Sequence, residues 1–192
     1  MAVRSPTVDD FDAHVAASII AIALGGADSD PILLSDAVGL DGREFRELIA
    51  NIFPSASVWL ELAQLGDTVA RTPDEECLLD VLRRGTTSGT PFEVQLAAMI
   101  ARRAQRPNHL WQDLGLRSRR DLSELMMRHF KPLARRNVHD MKWKKFLYRI
   151  ICSDASYTLC TAPCCTECDD FNACFGEETG VSLLVSRLRI AG

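Results

Sequence analysis

Cys160, Cys165, Cys168 and Cys174 stand in a C-x4-C-x2-C-x5-C pattern. Thiolates two residues apart reach one metal ion or adjacent corners of a cluster. Pro163 stiffens the approach. Ala162, Thr166 and Ala173 are small enough to let backbone amides point at sulfur, where hydrogen bonds tune a cluster's potential. Structural zinc also uses four thiolates, but most such sites pair two C-x2-C knuckles across a longer spacer. This chain has one knuckle and unequal gaps, a pattern that suits a loop wrapped around a larger object, so an iron-sulfur-type cluster is favoured and zinc is the alternative cofactor. Cys164 offers a second register, C-x3-C-x3-C-x5-C, so the residues alone leave Cys164 or Cys165 as the second ligand. Cys152 and His139 are further candidate metal ligands; His139, beside Asp140, also reads as a helix-start residue. Cys77, among Leu78 and Leu79, reads as a small buried side chain.

Six of the seven cysteines fall between Cys152 and Cys174, and the N-terminus lacks the basic start and apolar stretch of a secretory leader. A disulfide framework is therefore not expected, and reduced thiols in the cytoplasm are. The longest apolar run, Val15 to Leu24, is about half of the ~20 residues that span a bilayer, so no membrane is expected as partner.

The net charge of -4 conceals two opposed blocks. Arg117 to Arg149 holds eleven Lys and Arg against three acids, net +8; Cys152 to Glu178 holds six acids and no Lys or Arg. The two blocks should behave differently toward ions. Lys142, Lys144, Lys145 and Arg149, just before the cysteines, are candidates for attracting an oxyanion or docking an acidic partner.

The elements that must position these residues are helical. Phe11, Val15, Ile19 and Ile22 recur at helical spacing behind Asp9 and Asp10, and Gly25-Gly26 ends the run. A second helix is predicted from Asp41 or Gly42 to the Phe53-Pro54 stop, and a short third from Ser57 to Leu65. Thr72-Pro73-Asp74-Glu75 and Thr90-Pro91-Phe92-Glu93 are two versions of one start signal: hydroxyl cap, proline, then an acid three residues after the cap. Asn108 to Gly115 reads as a short helical turn. Ser118 opens a helix carrying Leu122, Leu125, Met126, His129 and Leu133, broken around Pro132, with Met126-Met127 as core filling. The last strong helix runs from about Asp140 to Ile151, burying Trp143, Phe146, Leu147, Ile150 and Ile151. Val181 to Ile190 is a candidate terminal helix. The expected architecture is all-α: one compact multi-helix domain over 1–192, helical from 8 to 151, an irregular cysteine-rich metal-binding segment at 152–178, and a tail or short helix at 179–192. That segment has few large apolar side chains, so burial alone cannot offset its ordering entropy.

The motifs together resemble the nitrogen-fixation protein NifQ family. The resemblance lies in His109-Leu-Trp-Gln-Asp-Leu-Gly-Leu116, Arg120-Asp-Leu-Ser-Glu-Leu-Met126, the NVHDMKWKKFLYR stretch from Asn137 to Arg149, and the cysteine motif closing in Cys174-Phe-Gly176. It is strong over residues 90–178 and loose over the N-terminal helices. It implies a molybdenum-containing iron-sulfur cluster, of Mo-3Fe-4S type or its 3Fe-4S precursor, on Cys160, Cys165, Cys168 and Cys174, with Cys164 at a variable position. It further implies donation of molybdenum, taken from molybdate or another source, for the iron-molybdenum cofactor of nitrogenase. The implied partners are a cofactor assembly scaffold and the nitrogenase iron protein.

Two other classes compete. A zinc-stabilised nucleic-acid or interaction module would use the basic residues interleaved with Trp143, Phe146 and Tyr148, but the acidic cysteine segment would repel phosphate, so no nucleic acid is expected as partner. A dithiol enzyme would use Cys165-Thr-Glu-Cys168, but such motifs begin a helix after a strand, and no strand is predicted. No G-x-S-x-G, G-x-x-x-x-G-K-[ST] or G-x-G-x-x-G motif occurs, so the expectation is a donor rather than a turnover enzyme.

Overall fold

The computed structural model describes residues 9–25, 33–56, 65–154, 178 and 180–184. Among the described residues there are nine α-helices and no strand. None of these helices is long and apolar enough to cross a membrane.

Five of the helices start where a side chain satisfies a free amide. In α1 (Asp10–Leu24) the Asp9 carboxylate accepts from Asp12 N at 2.9 Å. That amide, with help from the Arg128 guanidinium, holds the Asp9 carboxyl below its ordinary value. A reciprocal pair, Asp41 with Glu44, opens α3 (Gly42–Ile52), which stops at Phe53 before Pro54. The two threonine-proline signals open α4 (Pro73–Arg84) and α5 (Pro91–Ala104). They differ in one respect. Glu93 reaches back to the amides of Ser88, Gly89 and Thr90, whereas Glu75 turns inward to Arg102 Nε at 2.9 Å.

Ser118 caps α7 (Arg119–His129), which ends at the fully buried Phe130; α8 (Lys131–Ala134) restarts the chain with Pro132 in its first turn, where proline's missing amide hydrogen costs nothing. Before these lies α6 (Leu110–Asp113), and after them α9 (Trp143–Asp154). α9 starts three residues later than its periodicity predicts. Asp140 takes φ +51°, outside any right-handed helix, and Asn137 closes the turn through its own amide, accepting from Met141 N at 2.9 Å and donating to Met141 O at 2.8 Å. The sequence reading missed α2 (Leu34–Val38). Five residues carry no helical period, and its cap position, Leu33, has no capping side chain. The helix predicted for 57–65 and most of that for 181–190 lie outside the described residues.

α5 is the axis. Leu96, Ala97, Ala98, Met99, Ile100, Ala101 and Ala104 are all buried, the pattern of a helix apolar nearly all round. Its alanines let neighbours come close, and α2, α3, α4 and α6 pack on it, with α9 against α4. Arg102 of α5 joins three elements, bonding Glu75 of α4, Asp36 of α2 and the carbonyl of Ala70. Leu122, Leu125, Met126 and Leu133 enter the core as their spacing requires. Met127, expected beside Met126 in the core, is instead 49% exposed, since adjacent helix positions cannot share a face. Cys77 is likewise exposed rather than buried, because Leu78, Leu79 and Leu82 turn α4 so that Glu76, Cys77 and Asp80 face outward.

Gly115 fixes α6 to α1. It holds φ +70°, and a Cβ there would lie 2.7 Å from the carbonyl oxygen of Ser18 and 3.2 Å from the Cβ of Ile22. Gly115→Ala is expected to cost about 1–3 kcal/mol, from left-handed strain and a backbone clash together. The check is urea unfolding: a midpoint equal to wild type would show that the two helices do not meet this closely.

Candidate functional site

The stretch His109–Asp113 lies beside the start of α9, and Glu178 and Val181 are bonded or paired to it. The α6 segment supplies the fastening groups. Asp113 is 1% exposed, and a charge there must be paired. It binds the ammonium of Lys144, accepts from Asn108 Nδ2 at 3.0 Å, and its backbone carbonyl accepts from Arg103 Nε at 2.7 Å. Lys144 also donates to the carbonyl of Arg106. The first turn of α9 is thereby pinned to α6.

On the other side, Gln112 Oε1 accepts from the backbone N of His109 at 3.3 Å and Gln112 Nε2 donates to the carbonyl of Val181 at 3.0 Å. Gly180, at φ +139°, passes so near that a Cβ would sit 2.6 Å from Gln112 Nε2. Only glycine suits both the angle and the approach. The Glu178 carboxylate, 3% exposed, faces His109 Nδ1 at 3.6 Å and Arg119 Nε at 3.7 Å. Arg119 is itself tied to Asp140, with a guanidinium nitrogen 2.9 Å from the Asp140 carboxylate. Among the described residues neither Glu178 Oε2 nor Arg119 Nε has a hydrogen-bond partner, so charge alone links them.

Beside these fastenings lies an open pocket of about 440 Å³ whose lining includes His109, Gln112, Lys142, Lys144, Lys145 and Glu178. Lys142 is half-buried and Lys145 exposed. The four basic candidates thus divide. Lys142 and Lys145 line the pocket; Lys144 lines it with its charge already engaged by Asp113; Arg149 is exposed farther along α9, outside the lining. His139 is exposed in the turn before α9 and does not line the pocket. Among the described residues no group of three or more His, Cys, Asp and Glu side chains is arranged to hold a metal ion.

Cys160, Cys164, Cys165, Cys168 and Cys174 lie outside the described residues, and Cys152 belongs to the last turn of α9. The fastenings nevertheless bracket the cysteine segment: α9 leads into it, and Glu178 follows Cys174 by four residues, a length of chain that cannot exceed about 14 Å. Sequence reasoning missed Glu178, Arg119, Gln112 and Asp113. The available signal was the polar pair Gln112-Asp113 within the apolar frame of Leu110, Trp111 and Leu114, since buried polar groups require partners.

Trp143 and Phe146 are buried and stack edge to face with centroids 5.8 Å apart. Tyr148 is half-buried, and Gln105 Nε2 lies 3.4 Å from its hydroxyl. The aromatic residues between the lysines therefore offer no stacking platform for bases, which removes the main support for a nucleic-acid module. His129 is structural, as its apolar neighbours suggested: Nε2 is 2.8 Å from the Asp12 carboxylate and its ring meets Phe92 edge-on.

Fold and site define an all-helical protein whose charged fastenings flank a cysteine-rich segment. The sequence profile of the NifQ family matches residues 15–176. Among curated relatives, the NifQ homolog of Sinorhizobium fredii (strain NBRC 101917 / NGR234) is 37% identical over 174 residues, 90% of this chain and 75% of its own. NifQ of Rhodobacter capsulatus is 40% identical over 76% of this chain and 79% of its own. NifQ of Azotobacter vinelandii is 36% identical over 73% and 78% respectively. No solved structure matches. The chain belongs to the NifQ family and has a role in nitrogen fixation.

Two outcomes check this geometry. Asp113→Asn is expected to cost about 2–4 kcal/mol, because it strands the Lys144 ammonium, whereas Lys145→Gln should stay within about 0.5 kcal/mol; equal unfolding midpoints for the two would refute the pinning of α9. Burial pushes the Tyr148 phenol above its ordinary value of 10.0. The folded state then holds a proton that the unfolded chain releases, so this contribution is complete below pH 10 and is lost as pH rises through the folded value. Tyr148→Phe should accordingly show a shallower alkaline loss of stability than wild type, measured by denaturant titration across that range.

Proposed function

We propose that this chain carries a molybdenum-containing iron-sulfur cluster, of Mo-3Fe-4S type or its 3Fe-4S precursor, on Cys160, Cys165, Cys168 and Cys174, and donates molybdenum for the iron-molybdenum cofactor of nitrogenase. The supporting observation is the C-x4-C-x2-C-x5-C spacing, all of it inside the stretch that matches the NifQ family. The donor set suits the group, since four thiolates at unequal spacing are soft ligands of the kind that hold iron-sulfur clusters. When bound, such a cluster would be held by the thiolates of Cys160, Cys165, Cys168 and Cys174 and would supply the molybdenum that is handed on.

The chain's own residues have three tasks. The thiols must lose their protons to act as ligands, and the lysines of the preceding helix favour the thiolate form if they lie near. Asp113 and Lys144 hold the helix that leads into the cysteines, while Gln112, His109 and Arg119 hold the chain that leaves them. Cys164, Cys152 and His139 are spare ligands on this reading. The protein works in the cytoplasm as a donor rather than a turnover enzyme. It is loaded from molybdate or another molybdenum source, and its partners are the cofactor assembly scaffold and the nitrogenase iron protein.

Elemental analysis of anaerobically purified protein tests the reading. Iron, acid-labile sulfide and substoichiometric molybdenum are expected; zinc alone, at about one ion per chain, would replace the carrier reading with a structural four-cysteine site. Cys168→Ser should abolish iron and sulfide while keeping most of the far-ultraviolet helix signal, because the helical core is built upstream. A fully loaded Cys168→Ser protein would reject the ligand assignment.

A further inference from the structure

We propose that the turn between α8 and α9 is a docking surface for an acidic face of another protein. Residues 135–140 run Arg-Arg-Asn-Val-His-Asp, and all but Asn137 are exposed. Val138 is 75% exposed, more than any other large hydrophobic side chain among the described residues. An exposed valine alone is ordinary. This one is held in place. Asn137 bonds Met141 through both ends of its side-chain amide, and one guanidinium nitrogen of Arg119 donates to the Asp140 carbonyl at 2.7 Å and to its carboxylate at 2.9 Å. These bonds keep Asp140 at its positive φ, a conformation that persists where the surroundings enforce it. A turn fixed before it binds loses little entropy on binding.

The rim of the turn is basic. Arg135 and Arg136 precede Val138, and Arg120 follows Arg119 in α7; all three are exposed, and none has an ion pair among the described residues. The carboxylate that the turn itself carries, Asp140, is already engaged by Arg119. An acidic protein is repelled by the chain's net charge of -4 but attracted at this rim, so it arrives facing the turn. The apolar apex favours protein over polyphosphate or lipid. A nucleic-acid backbone offers no recess for a valine, the flanking aromatics Phe130 and Trp143 are buried away from bases, and one aliphatic side chain is too little to anchor in a bilayer. The position ties this surface to the cysteines, a step that rests on the carrier reading. Arg119 holds the turn with one nitrogen and faces Glu178 with another at 3.7 Å, and Glu178 follows Cys174 by four residues. A recipient seated on Val138 therefore lies one guanidinium away from the chain that leaves the proposed ligands.

The experiment is calorimetric titration of the full-length chain with each partner of the carrier reading, the purified cofactor assembly scaffold and the purified nitrogenase iron protein, at two salt concentrations. At least one is expected to bind, and more weakly at the higher salt. The Arg135→Glu, Arg136→Glu double variant should bind about 10-fold or more weakly, since each reversal turns attraction into repulsion, and Val138→Asp should do the same. Arg43→Glu, Arg46→Glu changes the net charge equally at exposed positions of α3 and should stay within about 2-fold. Absence of binding to both proteins, equal weakening by the α3 pair, or undiminished binding by Val138→Asp would each overturn the proposal. So would binding of duplex DNA or phosphatidylglycerol vesicles, in place of protein, that the turn variants abolish. Docking by a chain that purifies without iron and sulfide rejects the carrier reading and keeps the surface, whereas a loaded chain that meets neither protein rejects the surface.

Discussion

Asp113 carries its charge at a place with almost no solvent, and the surrounding architecture can be followed outward from that requirement. An ionised carboxylate at 1% exposure is tolerated only with a partner charge and further donors. Lys144 comes from α9, Asn108 from the turn before α6, and Arg103 from the last turn of α5 secures the adjoining carbonyl. Three elements separated in sequence must converge for one side chain to be satisfied. Because α9 leads directly to the cysteines, the register of that helix, and so the point from which the cysteine segment departs, is set by a group thirty-one residues upstream.

The same device recurs elsewhere. Glu75 meets Arg102 between α4 and α5, and Asp12 meets His129 between α1 and the end of α7, 117 residues apart. Buried pairs are often no better than hydrophobic replacements for stability, but removing one partner is costly. In a core built largely from alanine, leucine and isoleucine, which pack in many ways, these pairs distinguish one arrangement of helices from others of similar burial. They act as pins more than as glue.

Most of the helical frame was legible because its signals are local. A cap, a proline at the first position and a three-to-four spacing of apolar residues are all read within a dozen positions, and Asp9, Asp41, Thr72, Thr90 and Ser118 behave accordingly. What escaped was non-local or too short. α2 is a single turn secured by Gly39 lying against Ala98 and Arg102 of α5, which no neighbour in sequence announces. Glu75 abandons its expected capping role because Arg102, 27 residues away, is the better partner. The basic group before the cysteines was visible as composition, yet its division into a pinned Lys144, the lining Lys142 and Lys145 and an outlying Arg149 depends on Asp113 and the pocket, which only the tertiary fold brings there.

The charge reversal along the chain acquires a physical meaning in this setting. Six carboxylates and up to six thiols fall between Cys152 and Glu178, with no Lys or Arg among them. On the carrier reading, thiols that lose their protons to bind metal add negative charge to a stretch that already holds six carboxylates. Compensation has to come from outside the segment and from close by, since free charges are screened beyond about 8–10 Å at physiological salt. The +8 block from Arg117 to Arg149 ends three residues before Cys152, and Arg119, inside that block, already faces Glu178 at the segment's far end. The basic helix therefore need not be a docking surface to matter. On the carrier reading, its first task is to offset the charge of an acidic, thiol-rich segment next to a folded body.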